Sequence, residues 1–219
     1  MRISSLIFAL SLVTTAAAAE VLVVDGDTIK LDGVNHRIFG IDAPEHGQKC
    51  NRANGKQWRC GKAATSAMRD LVDGKAVTCD IHLYDDFDRP VSTCHAGDVN
   101  VGEAMVRKGL AWAFIKYDRS FVAIEADARR AKLGVWEAET QAPWDYRSAR
   151  WTAAAQDVPP NIDPRCRIKG NISDLGKIYH APWSHSYEAT RIKMGKGERW
   201  FCTEKEALDA GWRAPLWGS

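Results

Sequence analysis

Beyond Ala19 the sequence has no apolar run of membrane-spanning length, which excludes an anchor of later transmembrane helices. It also lacks bulk charge. Lys and Arg total 30 against 28 Asp and Glu, a formal +2, so a polyanion would have to be held by a local cluster rather than by the field of the whole chain. No two cysteines are separated by two residues, so the spacing common to small zinc modules is missing. Six Phe and five Tyr are few beside nine Trp. Indoles serve equally as core filler and as base-stacking surface, and composition does not choose between those uses.

What is present begins with a leader. Residues 1–19 place one early cation, Arg2, before the apolar run LIFALSLV and a tract of alanines, the pattern of a secretory signal cleaved after Ala18 or Ala19. The leader carries Arg2 and no acid, so its removal lowers the charge from +2 to +1. The mature chain is therefore expected to be periplasmic or secreted, without stable membrane insertion. In such a compartment six cysteines read as disulfides. Cys50 and Cys60 bracket one loop. Cys79 and Cys94 lie symmetrically about Asp86-Phe87, so a hairpin turning there would set them opposite each other. Cys166 and Cys202 remain for the C-terminal segment, although six cysteines also allow other connectivities.

Along the mature chain, residues 20–24 read as a strand, and residues 28–31 and 34–41 as a hairpin about Asp32-Gly33. Residues 46–61 are polar and loop-like. Apolar spacing predicts a helix over 62–72, closed by Asp73-Gly74. Paired strands follow over 76–83 and 91–96, joined by the acidic turn YDDFDRP, and then helices over 99–110 and 121–131. Three strands, a helix, two strands and two helices fit a five-stranded barrel with helices packed on it. Residues 152–164 have linker composition, and the remainder reads as two or three strands and a short helix over 204–210. The expected division is a main domain at 20–150, a linker at 151–164 and a small domain at 165–219.

Residues 25–45 concentrate the chemistry. Asp27 and Asp42 can hold a hard cation together with the Ala43 carbonyl, Glu45 can take a proton, and Arg37 can clamp an oxyanion. Pro44 pushes Ala43 away from helical angles, which presents its carbonyl and Glu45 together. These are the parts needed to hydrolyse a phosphodiester.

DGDT at Asp25, RIFGIDAPE at Arg37, DDFDRP at Asp85 and EAMVRKGLA at Glu103 together resemble the thermonuclease, or staphylococcal-nuclease-like, family over roughly residues 21–144. The resemblance implies an α+β fold: a five-stranded OB-type β-barrel with about three helices. To this the C-terminal segment would add a small, disulfide-linked, β-rich module. The resemblance also implies Ca2+ as cofactor, with Asp27, Asp42 and Ala43 as ligands, the last standing where the family usually has Thr. Glu45 matches the general base, and Arg37 and Arg89 match the pair that stabilises the transition state. Phe87 and Tyr117 fall near positions that contact substrate.

The motif before Arg89 departs from the family. The usual basic residue, tyrosine and glycine are Asp86, Phe87 and Asp88, which adds negative charge near the phosphate pocket and removes a phenolic donor while leaving a ring that can stack on a base. The C-terminal segment, with CRIKGN, KIYH and ERWFCTEKEALDAGWR, resembles the sunset domain. That likeness brings no established chemistry, and it leaves room for an unknown envelope or protein partner. The function implied is an exported, calcium-dependent endonuclease acting on DNA and RNA and leaving 3′-phosphate ends. The alternative is a catalytically weak OB-fold binding protein for nucleic acid or oligosaccharide at the cell envelope, favoured by the acidic turn and the small net charge.

Overall fold

The computed structural model describes residues 20–216, so the expected leader lies outside the described residues. Strand β1 (Val21–Val23) pairs antiparallel with β2 (Thr28–Leu31), and β2 turns into β3 (Val34–Ile38). At that turn Asp32 and Gly33 take φ of 48° and 85°, the left-handed pair that a two-residue hairpin requires. The strand expected through residue 41 stops at Ile38. Gly40, at φ 76°, bends the chain before β4 (Ile41–Asp42), so Arg37 and Asp42 lie side by side instead of along one extended strand.

Residues 46–61, expected as loop, contain a short hairpin of β5 (Cys50–Asn51) and β6 (Gln57–Trp58). Cys50 is bonded to Cys60, the first residue of α1 (Cys60–Val72), so the hairpin is stapled to the helix. That helix buries Cys60, Ala64, Met68 and Val72, a four-residue spacing that keeps one stripe against the sheet.

Next come β7 (Val77–Tyr84) and β8 (Pro90–Ala96), antiparallel, with Cys79 directly opposite Cys94 and bonded to it. A further strand, β9 (Val99–Asn100), pairs with β8. Because the Asn100 side chain accepts from the Glu103 amide and Gly109 turns at φ 65°, α2 (Val101–Arg107) is shorter than the helix expected over 99–110. Strand β10 (Trp112–Ala113) pairs with β4, and α3 (Val122–Arg130) follows.

The main sheet runs β1-β2-β3-β8-β7, with β9 on β8, and curls into the half-barrel of an OB-type fold. Strands β3 and β8 are parallel, and Arg37 stands opposite Val91. The core between sheet and helices is built from Ile29, Ile38, Ile41, Met68, Val101 and Met105, among others. Each such side chain contributes about 1.5–3 kcal/mol on burial.

One element had not been expected. Residues 143–153 form α4 (Pro143–Ala153), with Pro143 in the first turn and buried, and most of the other positions exposed. It runs without a break past residue 150, and a 3-10 turn continues it over Ala154–Asp157. The C-terminal unit has β11 (Ile168–Ser173) between β12 (Gly176–His180) and β13 (Arg199–Phe201), then α5 (Glu204–Asp209). Cys166 is bonded to Cys202. Ile168, Tyr179, Phe201, Ala207 and Trp212 make its core, and Trp151 of α4 packs against them. Among the described residues no helix is long and apolar enough to cross a membrane.

Candidate active site

The loop between β1 and β2, the turn after β3 and the start of β4 bring the acidic residues together. Asp27 is 4% exposed and Asp42 is 0% exposed, so neither carboxylate can rely on water for its partners. Arg37 supplies them. Its Nη2 lies 3.3 Å from Asp27 Oδ2 and 3.0 Å from Asp42 Oδ1, so one guanidinium nitrogen spans both carboxylates, while Nη1 donates to Asp27 Oδ1 at 3.3 Å. The Ala43 amide donates to Asp27 Oδ2 at 2.9 Å and ties the two acidic segments together. Asp25 accepts from the Asp27 amide at 3.0 Å, the turn role its position suggests.

Glu45 sits at the end of this row, and its backbone is fixed first. The Glu45 amide donates to Gln48 Oε1 at 3.2 Å, its carbonyl accepts from the Gln48 amide at 2.7 Å, and buried Gln48 donates in turn to the Gln141 carbonyl. Burial raises the Glu45 carboxyl to about 7, an effect that Arg147 opposes and that Asp27 and Asp42 reinforce. Asp25 is also pushed well above the usual carboxylate range, by burial first and then by Asp27 and Glu45. Burial acts the same way on Asp27, but Arg37, the Ala43 amide and Arg147 outweigh it and hold that group low.

Arg147, on α4, was not singled out from the sequence. It donates from Nη1 to Asp42 Oδ1 at 3.0 Å and from Nη2 to Asp42 Oδ2 at 2.7 Å, a two-pronged grip, and from Nη1 to Glu45 Oε1 at 2.7 Å. The available signal was faint: a proline-started segment in which Arg147, Arg150 and Trp151 share one helical face.

Arg89 stands at the mouth of β8, and it is paired. Asp85 Oδ2 accepts from its Nε at 2.8 Å and lies 2.7 Å from its Nη2, while Asp85 Oδ1 accepts from the Phe87 and Arg89 amides. Asp85, one of the acids that precede Arg89, thus acts as a clamp on it. Asp88, at φ 57°, faces away to Lys205 of the C-terminal unit at 3.2 Å. Phe87 lies under the Arg89 guanidinium at 5.1 Å, and Tyr117 packs edge-on against Phe114 at 5.4 Å.

Asp25, Arg37, Glu45, Phe87, Arg89 and Tyr117 all line one cleft of about 510 Å³. Its other side comes from Arg147 and Trp151 of α4 and from Tyr179, Trp183 and Glu204 of the C-terminal unit, where the Tyr179 hydroxyl donates to Glu204 at 2.7 Å. His46, beside Glu45, is depressed to about 4 by burial and by His185, so it is neutral at ordinary pH. A histidine beside two cysteine sulfurs elsewhere, His36 near Cys79 and Cys94, is not a thiolate site, because those cysteines are bonded to each other.

Residues 35–138 match the family described as Staphylococcal nuclease homologue. The chain is 35% identical over 135 residues to an endonuclease of Escherichia coli O157:H7 described as uncharacterized, an alignment covering 58% of this chain and 82% of that protein. It is 34% identical over 121 residues to a probable staphylococcal-like nuclease of Oryza sativa subsp. japonica, covering 54% of this chain and 22% of the rice protein. It is also 29% identical over 152 residues to the succinoglycan biosynthesis protein ExoI of Rhizobium meliloti (strain 1021), covering 64% and 77%. A half-barrel that packs Asp27 and Asp42 against Arg37, beside a cleft lined by Arg37, Glu45 and Arg89, together with these matches, has one consequence: the chain belongs to the staphylococcal nuclease homologues, a family of phosphodiester hydrolases.

Proposed function

We propose that the chain is an exported, calcium-dependent endonuclease that hydrolyses DNA and RNA, built as a nuclease domain (20–150), a connecting segment (151–164) and a small C-terminal domain (165–219). One observation carries the proposal: a single nitrogen of Arg37 lies within 3.3 Å of both Asp27 and Asp42, in a cleft that Glu45 and Arg89 also line. Three disulfides support export, since such bonds persist in oxidising compartments.

The donor set fits a hard divalent ion. Two buried carboxylates, Asp27 and Asp42, already converge on the positive charge of Arg37, and Glu45 lines the cleft beside it, oxygen donors of the kind a hard cation takes. Asp27, Asp42 and the Ala43 carbonyl would hold calcium, which when bound supplies electrostatic stabilisation to a phosphate oxygen. Glu45, ionised, takes a proton from the attacking water, a contribution of about 10²–10⁴ in rate. Arg37 and Arg89 receive the non-bridging oxygens, where planar two-pronged donors are stronger than lysines. Phe87 and Tyr117 offer ring faces to a base, a contact worth about 1–3 kcal/mol each.

A cleft walled on one side by the C-terminal unit suits a flexible single strand. Hydrolysis of single-stranded DNA by the mature protein is the test, with calcium, with EDTA, and with Glu45→Gln under calcium. Calcium-dependent cleavage that falls about a hundredfold in the variant is expected. Binding of DNA without cleavage by correctly oxidised protein would sink the enzyme and favour the binding-protein alternative, to which the Asp85 clamp on Arg89 is the structural pointer.

A further inference from the structure

We propose that Arg147 competes with the divalent cation for Asp42, holding Asp42 and Glu45 through its own guanidinium and giving up Asp42 when the cation binds; this rests on the calcium-dependent function proposed for the site. Both oxygens of Asp42 are already engaged: Oδ1 accepts from Arg37 and Arg147, and Oδ2 accepts from Arg147. Burying a carboxylate completely is costly, and the two-pronged grip of Arg147, added to the contact from Arg37, offsets part of that cost. The same contact must weaken the metal site. Whatever stabilises the free state relative to the bound state lowers the affinity of the bound state by an equal free energy.

Arg147 differs from Arg37 in how it is held. Arg37 belongs to β3, inside the sheet, and spans Asp27 as well as Asp42, so the frame of the domain fixes it. Arg147 projects from α4, whose neighbouring positions are held by the C-terminal unit. Arg150 donates to the Pro182 carbonyl at 3.2 Å and pairs with Glu188 at 2.7 Å. Trp151 lies 6.1 Å from the Trp183 ring and packs on the C-terminal core. With Arg147, Arg150 and Trp151 on one helical face, the docking of the C-terminal unit sets where the Arg147 guanidinium stands. The side chain is 23% exposed and borders the cleft, so it has space to move into once it leaves Asp42.

The test is calorimetric titration of calcium into the full mature protein, its Arg147→Gln variant and its Arg147→Lys variant, without nucleic acid. Arg147→Gln is expected to tighten the calcium Kd about tenfold, and Arg147→Lys, which keeps the charge but loses the fork, by less. Thermal melting provides the second readout. Without calcium Arg147→Gln should melt below wild type, and saturating calcium should narrow that gap. If Arg147→Gln fails to fold, the Lys variant decides by the same titration. A Kd unchanged or weaker in the folded variants overturns the inference and makes Arg147 a structural residue. Absence of calcium uptake by every form overturns it together with the metal assignment, while cleavage of DNA by wild type separately shows whether the nuclease function survives.

Discussion

Gly61 packs so closely beneath Glu45 that a methyl group on its α-carbon would stand 1.7 Å from the Glu45 carbonyl oxygen and 2.9 Å from the His46 carbonyl carbon. The obstacle is backbone on both counts, so no side-chain rotation can relieve it. Glycine at the start of α1 is therefore what lets the segment carrying Glu45 lie down on the helix. Gly61→Ala is expected to cost at least the roughly 1–3 kcal/mol of an overpacked core and to lower cleavage by displacing Glu45. Gly195→Ala, where nothing lies within 4 Å, should stay within about 0.5 kcal/mol of wild type. Urea unfolding of the two variants checks the contrast. Equal stabilities would mean that the Glu45 backbone yields freely.

Asp85 makes the opposite kind of constraint, since it holds Arg89, the residue proposed to receive a phosphate oxygen. In Asp85→Asn the amide oxygen can still accept from the Phe87 and Arg89 amides, which keeps the turn, while the ion pair with the Arg89 side chain is lost. Single-stranded DNA should then bind several-fold tighter. The slope of log affinity against log salt should steepen by about 0.7, the value for one additional phosphate contact on a single strand. A slope that does not change would show that Arg89 meets no phosphate.

The contrast between Arg37 and Arg147 shows what the sequence could and could not reveal. Asp27, Arg37, Asp42 and Glu45 lie within twenty residues, and short-range turn chemistry at Asp32-Gly33 and Gly40 was enough to bring them together. Arg147 reaches Asp42 from 105 positions away, and local pattern carries no information about such a pairing. Its helix was hard to see because Pro143 is its sole buried residue, so α4 lacks the apolar stripe by which α1 announces itself. The cysteine pairs were legible for a different reason: the ladder of β7 and β8 turns about its own centre, which puts Cys79 opposite Cys94. The packing of the C-terminal unit beside the cleft depends on contacts such as Lys205 with Asp88, where neither residue is unusual in composition or spacing.

The Cys50–Cys60 bridge fixes the small hairpin to the first turn of α1, next to the backbone that supports Glu45. Replacing both residues by serine should cost about 2–4 kcal/mol and lower cleavage more than it lowers calcium binding, because Asp27 and Asp42 are held by Arg37 and the sheet. Denaturant unfolding and calcium titration of the double variant measure the two effects. Equal loss of both would tie the hairpin to the whole site rather than to Glu45.

His180 gives the C-terminal unit a pH dependence of its own. Its ring is 7% exposed, one nitrogen lies 3.0 Å from Asn171 Oδ1, and its Nδ1 has no partner, so a second proton would be buried without an acceptor. Burial, and then Lys169, depress the group from 6.5 to about 4. The unfolded chain therefore binds the proton more readily. Stability from this residue is complete above pH 6.5 and is lost as pH falls toward 4, by up to about 3 kcal/mol. His180→Gln, which keeps a donor for Asn171 but does not titrate, should flatten the fall in stability between those values. Some slope should remain from His46, also held at about 4. Unfolding free energies of wild type and variant, measured across that range, should show the variant gaining on wild type as pH falls from 7 to 4; parallel curves would show that His180 binds its proton equally well in the folded and unfolded chains.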